Sequence, residues 1–415
     1  MRAERAKSVL PILGLVLAWS CAPAAESGGN TAAAGAPAGV GDADRELLGD
    51  AGNTLFWSEE EQVPSYRNYD LIYPTRRIDA SDDPYPLPSR PVDLSGVRYE
   101  VAVGDGGESE SFGFEDFLEH NRIAGLLVIH GGDVVLEHYG LGNDRDSRWV
   151  SYSIAKSVVS LLVGAAVEDG YIASLDEPVT SWLPILRGSS YDGVTLRHAL
   201  WMSSGVAWDE DYADPESDVA RSRGTTLERL RYLGELPRVA PSGETFNYNT
   251  GETHLVGAVL RAAIGNNLST YLTEKIWRPF GMEADANWML IEPGGAEHGG
   301  CCISATLRDY GRLGLFAMSG GVLRDGTRVL PEGWMEESIR PSPGFEGYGY
   351  LWWLRGDGVY NGIGIFGQAV SIDPANEIVM VTHSAWPTAT DRQRSRHRAA
   401  FFAAVTETLL AADSG

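Results

Sequence analysis

Lysine is nearly missing from this chain: three lysines stand against 30 arginines in 415 residues. Cysteine is equally scarce, and three residues cannot build a disulfide scaffold. No basic run occurs, and acids outnumber bases 57 to 33 for a formal charge of −24, which argues against nucleic acid and against docking on anionic lipid headgroups. Several catalytic signatures are missing as well. His-Glu-x-x-His, Cys-x-x-Cys, a Gly-Lys phosphate loop and a Gly-x-Ser-x-Gly elbow do not occur, so no local pattern calls for a metal or other cofactor. What is there is ordinary in bulk. With 43% hydrophobic and 22% charged residues, disorder, collagen and coiled coil are excluded. The length suits one large domain or two intergrown ones.

The chain begins like an export signal. Arg2, Arg5 and Lys7 precede an apolar stretch, Val9 to Trp19, too short for a confident membrane span and followed by small residues. Leu17-Ala18-Trp19-Ser20-Cys21 resembles a bacterial lipobox, which would put a lipid on Cys21, although Trp19 departs from the usual small residue. Ala22-Pro23-Ala24 offers ordinary signal-peptidase cleavage instead, and a secreted soluble protein. Seventeen of residues 22–41 are Ala, Gly, Ser, Pro or Thr, a tether with no apolar periodicity to bury. The expectation is a signal over 1–21, a linker over 22–45, an N-terminal extension over 46–98 and a folded body over 99–413. Export places the body in the cell envelope, with membrane contact only through a lipid anchor. Adjacent Cys301 and Cys302 read as two buried thiols rather than a strained ring.

Residues 54–98, rich in Pro, Tyr and acids, read as an extended strap over the surface. Ala124–Ile129 and Val134–His138 flank Gly131-Gly132-Asp133, a hairpin signal. An apolar helix spans 153–169 and stops at Gly170. Residues 180–345 follow a mostly helical pattern. Strand character returns at Tyr348–Leu354, Gln368–Ile372 and Ile378–His383, and 391–412 closes as a helix. Strands thus bracket a helical middle. The expected fold is α/β in the α+β sense: an antiparallel sheet built from both chain ends, flanked by helices, with an inserted helical lobe and a cleft between.

One motif misleads. Gly362-Ile363-Gly364-Ile365-Phe366-Gly367 spells the dinucleotide fingerprint, but Gln368-Ala369-Val370-Ser371-Ile372 continues as strand where that motif opens a helix.

The positive signal is Ser153-Ile154-Ala155-Lys156. On a helix, positions i and i+3 share a face, so hydroxyl and amine can meet. At the helix start, free backbone N–H groups favour a developing anion. A serine hydroxyl needs a base, and a buried lysine can supply one because desolvation disfavours its charged form. Arginine stays protonated. A chain that uses arginine almost throughout nonetheless sets a lysine in an apolar helix (Val158, Val159, Leu161, Leu162, Val163). Tyr248, in Phe246-Asn247-Tyr248-Asn249-Thr250-Gly251, could relay protons to a leaving group or simply fill a core. The glycines of Gly364–Gln368 permit close approach of backbone to a substrate, and N–H groups there could complete an oxyanion hole with that of Ser153. The acids between Trp208 and Asp218 (Asp209, Glu210, Asp211, Asp214, Glu216, Asp218) either attract an amine-bearing substrate or form a solvated loop. His198 and His254 read as structural, and a Ser/His/Asp triad stays open because its members need not be adjacent.

The order Ser153-x-x-Lys156, Tyr248-x-Thr250, Gly-rich edge strand resembles the serine β-lactamase and penicillin-binding superfamily. The likeness is closest to the branch of 6-aminohexanoate-dimer hydrolases and related esterases. Trp149-Val150-Ser151-Tyr152-Ser153, Leu175-Asp176-Glu177-Pro178-Val179 and Thr195-Leu196-Arg197-His198-Ala199-Leu200 carry it, as do Met202-Ser203-Ser204-Gly205, Ser304-Ala305-Thr306-Leu307-Arg308-Asp309-Tyr310 and Tyr348-Gly349-Tyr350-Leu351-Trp352-Trp353. The resemblance covers about 60 to 410. It implies Ser153 as acylated nucleophile, Lys156 as base, Tyr248 as proton relay, the backbone N–H groups of Ser153 and Gln368 as oxyanion hole, and Tyr212, Thr250 and Gly367 against the substrate. Thr250 stands where class C β-lactamases have Asn, and Ile365-Phe366-Gly367 replaces Lys-Thr-Gly. The cation that would grip a β-lactam carboxylate is missing there. The expected substrate is a small ester or amide, cleaved without a cofactor. The alternatives are β-lactamase or penicillin-binding activity, or a silent binding module.

Overall fold

The computed structural model describes residues 42–102 and 107–413. Its centre is a six-stranded antiparallel sheet, here numbered in chain order: β1 (Ile123–His130), β2 (Asp133–Tyr139), β3 (Trp353–Leu354), β4 (Tyr360–Ile363), β5 (Ala369–Asp373) and β6 (Ile378–Ser384). The spatial order is β2-β1-β6-β5-β4-β3. The two chain ends meet at β1–β6, where Val128 pairs with Met380 and His130 with Ile378. The expected hairpin joins β1 to β2.

Every residue of β1 is buried because both faces of the sheet are covered. Side chains alternate along a strand. Leu127, Ile129, Val379 and Val381 therefore face the larger core. Leu126, Val128, Ile378 and Met380 face a second core under the closing helix Arg392–Asp413, which contributes Phe401, Phe402, Val405 and Leu409. On the first face lie helix α1 (Ile154–Glu168) and helix α3 (Leu307–Met318), with α2 (Thr250–Ile264) between them in sequence. Gly311 lets α3 press on the sheet, since a Cβ there would come within 2.6 Å of Leu127.

The stretch 180–345 is less uniformly helical than expected. It contains Ala286–Met289 and Ile303–Thr306, which join Thr75–Ile78 and Arg148–Val150 in a second antiparallel sheet. Segments of four residues are too short to show a period against the surrounding helices. The Tyr348–Leu354 expectation shrinks to Trp353–Leu354, because Leu351 turns into the left-handed region at φ 62°. In the fingerprint-like segment, β4 passes through one turn, with Phe366 at φ 60°, straight into β5.

The surface-strap expectation for 54–98 is overturned in its first half. Ser58 and Glu61 form a capping box that opens a helix over Glu59–Arg67. Tyr66 and Tyr69 are core residues, Tyr66 lying edge-on to Trp149 at 5.6 Å and to Tyr152 at 5.4 Å. Composition suggested loop, but these tyrosines bury ring area that outweighs poor propensity. The signal, Cys21 and most of the linker lie outside the described residues; the linker's last residues enter a short helix, Asp42–Glu46.

Candidate active site

The second sheet delivers the nucleophile candidate. Arg148–Val150 ends beside Ile303, with Ser151 donating its N–H to the Ile303 carbonyl at 2.7 Å and accepting the Ile303 N–H on its hydroxyl at 3.0 Å. Tyr152 then adopts φ 46°, a left-handed turn rare for a bulky residue. The turn sets Ser153 at the N-cap of α1, with its own side chain free of capping duty and partly accessible.

Lys156 rises from the first turn of α1 and is 1% exposed. Its amine donates to Ser153 Oγ at 2.8 Å, to Thr250 Oγ1 at 2.9 Å and to the Gly300 carbonyl at 2.8 Å. Burial pushes its pKa down to about 8, against a smaller opposing pull from Glu210. A lysine so poised spends a useful fraction of time neutral near pH 7–8, as a general base requires.

Tyr248 faces this pair. Its ring lies 5.1 Å from the Lys156 amine and stacks on Trp353 at 5.3 Å, with Tyr348 edge-on at 5.8 Å. Tyr348 and Trp353 of the Tyr-Gly-Tyr-Leu-Trp-Trp run thus hold the phenol in place. Burial and Glu210 drive its pKa up, while the Ser153 hydroxyl pulls it down, so Tyr248 is a proton-bearing phenol aimed at the serine. Thr250 begins α2 behind the Asn249 N-cap. It borders the cavity but spends its hydroxyl on Lys156 and Glu210.

Glu210 is the residue that sequence reasoning placed wrongly. The sequence groups it with the other acids between Trp208 and Asp218; the structure makes it a hub. It accepts from the Trp208 indole, the Thr250 hydroxyl, the Thr250 N–H at 3.0 Å and the Tyr212 hydroxyl at 2.7 Å. The only signal available was its position midway between two aromatics, Trp208 and Tyr212. Tyr212 borders the cavity.

The cavity beside Ser153 holds about 300 Å³. One wall is the N-terminal segment (Thr54, Phe56, Tyr69, Tyr73), a contribution that its composition did not reveal. Another carries Cys301 and Cys302, which are joined in a vicinal disulfide rather than left as thiols, with Cys302 at φ 75°. Two expected site residues do not reach it. Gln368 is fully buried, its amide held by Trp149 and by the Ser384 backbone. Gly367 packs against Trp386 and Ser384, and its carbonyl is taken by Thr382 and Arg398. Neither lines the cavity, and Ile365 is the residue of this segment that does. Gly364 brings it there: a Cβ at 364 would fall on the Ser151 carbonyl. Among the described residues, no group of three or more His, Cys, Asp or Glu is arranged to hold a metal ion.

A serine and a lysine at the start of a buried helix, a facing tyrosine and a mixed sheet-and-helix frame agree with what comparison finds. Residues 114–404 match the Beta-lactamase family. The chain belongs to that family. Within it, 299 residues are 31% identical to the 6-aminohexanoate-dimer hydrolase of Paenarthrobacter ureafaciens, covering 66% of this chain and 75% of that one. Esterase EstB of Burkholderia gladioli is 30% identical over 202 residues, 43% of this chain and 51% of that protein. Among solved structures, a Bacillus anthracis protein assigned to the 6-aminohexanoate-dimer hydrolases superposes with a TM-score of 0.71 at 20% identity, covering 84% of this chain and 94% of its own, which speaks for the fold alone. This member of the β-lactamase family is a hydrolase of the 6-aminohexanoate-dimer hydrolase branch.

Proposed function

We propose that this β-lactamase-family chain is a serine hydrolase that cleaves a small ester or amide through an acyl-Ser153 intermediate. The observation that carries the reading is the buried Lys156 amine 2.8 Å from Ser153 Oγ. Neutral Lys156 takes the hydroxyl proton as Oγ bonds to the substrate carbonyl carbon. The developing oxyanion sits between the backbone N–H of Ser153, at the start of α1, and that of Ile365, which replaces Gln368 in this role. Tyr248 protonates the departing alkoxide or amine and is reprotonated through Lys156. Water then repeats the sequence on the acyl-enzyme and frees Ser153.

The names of the relatives support this chemistry: one acts on the 6-aminohexanoate dimer, an amide, and the other is an esterase. The cavity volume suits a small molecule. Export, with a lipid on Cys21, belongs to the same proposal and rests on the basic and apolar pattern of residues 2–21. No helix among the described residues is long and apolar enough to cross a membrane.

The test is Ser153→Ala, assayed on 4-nitrophenyl esters and on an N-acyl amide. Turnover should fall about a thousandfold or more, with an unchanged circular-dichroism spectrum. Retained turnover would move the nucleophile elsewhere.

A further inference from the structure

Beyond the reacting groups, the cavity contains a cluster that the acyl-transfer chemistry does not use. Arg223, Arg229, His254 and His298 all border it. His254 is 3% exposed, and neither ring nitrogen has a hydrogen-bond partner. Two orphaned nitrogens on a buried imidazole are costly unless something arrives to pair with them. His298, its ring 5.4 Å away, accepts the Gly300 N–H on Nδ1 at 3.2 Å. That contact fixes the neutral tautomer with its proton on Nε2.

The two arginines are as unusual. Arg229 gives Nε to the Gly224 carbonyl at 3.2 Å, and Arg223 gives Nε to the Ala220 carbonyl at 2.8 Å. Among the described residues neither forms an ion pair, in a chain with 57 acids. Burial and Arg223 both pull the Arg229 pKa down, to about 10; burial first, and Arg229 after it, holds His254 and His298 in their neutral form. Arg229 is half-buried and Arg223 exposed, so both guanidinium groups sit on the open side of the cavity, within reach of an entering anion. The first two turns of α2 present Gly251 and His254 to the cavity, while the helix start itself is taken by Glu210, which accepts the Thr250 N–H.

The position relative to the chemistry is readable along α2. Thr250 touches the Lys156 amine, and His254 follows it by four residues, about 6 Å along the helix axis. Resting on the acyl-serine reading of Ser153, we propose that Arg229, Arg223, His254 and His298 form a carboxylate subsite. It selects esters or amides carrying a free carboxylate a few bonds from the reacting carbonyl. The guanidinium groups supply the charge and forked donors that a carboxylate fits, while imidazole N–H groups donate from the inner side. This puts substrate recognition at a place unlike the Lys-Thr-Gly position, where this chain has no cation.

Matched substrates test it on the full chain. One pair carries the carboxylate in the acyl part: the mono-4-nitrophenyl ester of suberate against its methyl-capped form. The other carries it in the leaving group: N-hexanoyl-6-aminohexanoate against its methyl ester. The ratio of kcat/KM, free carboxylate over capped, should exceed tenfold in at least one pair. It should collapse toward unity in Arg229→Gln and in the more exposed Arg223→Gln. A ratio near one in both pairs, or a ratio unmoved by both substitutions, overturns the subsite. Failure of the catalytic reading looks different, with no substrate of either pair turned over. The subsite is then judged on binding alone, with monomethyl suberate titrated against Ser153→Ala calorimetrically. Binding that disappears in the Ser153→Ala/Arg229→Gln double variant supports it, and no binding refutes it.

Discussion

A lysine amine surrounded by a hydroxyl, a second hydroxyl and a carbonyl is where the proposed acyl-transfer chemistry is decided. Burial lowers the Lys156 pKa to about 8, so the base is mostly protonated at pH 6 and mostly neutral at pH 9. The sign follows: kcat/KM should climb about tenfold per unit below that pKa and level off above it. A pH–rate profile on a neutral ester checks this, and a flat profile from pH 6 to 9 would remove Lys156 from the base role. Glu210 opposes the shift, since its negative charge favours the ammonium. Glu210→Gln should therefore move the inflection to lower pH, provided the Trp208, Tyr212 and Thr250 contacts persist. Ser153 and Lys156 were legible in sequence because their relation is local, one helical turn. Tyr248 needed the family resemblance, as nothing in Tyr-x-Thr alone separates a relay from a core tyrosine. Gln368 does not line the cavity and Ile365 does, and the left-handed turn at Phe366 between them is invisible in sequence.

At the level of elements, the unexpected contributor is the segment before the catalytic body. Its helix, Glu59–Arg67, places Tyr66 against Trp149 and Tyr152, the residues that lead into Ser153. The same segment walls the cavity. Tyr66→Ala should cost about 3–5 kcal/mol. It should also depress kcat, because the Tyr152 turn loses its backing. Chemical denaturation and ester turnover read the two effects, and a loss of stability with full activity would detach this helix from the site. Strands at both ends of the chain were legible through their two-residue alternation and turn residues. The four-residue strands of the second sheet carried no such period, and proline- and tyrosine-rich composition disguised a packed helix as a strap.

For the molecule as a whole, the sheet separates two cores. The core under the closing helix includes Phe401, fully buried and stacked on Phe117 at 3.8 Å. Phe401→Ala should cost about 3–5 kcal/mol of stability. With the sheet in between, kcat/KM well below the melting transition should stay within about twofold, because distant sites act independently. A proportionate loss of activity would mean that the two cores are coupled. The charge of −24 belongs to this scale too, and makes a cavity edged by unpaired arginines the exception on an acidic body.

The central claim is a covalent acyl intermediate on Ser153, and intact-mass analysis tests it most directly. Residues 45–415 would be incubated with a fluorophosphonate and, separately, with a β-lactam, and any adduct mapped by peptide. The account predicts a single phosphonate adduct on Ser153, formed more slowly in Lys156→Arg, whose guanidinium cannot shed its proton. A folded protein that takes no adduct, or takes it on another residue, would contradict it.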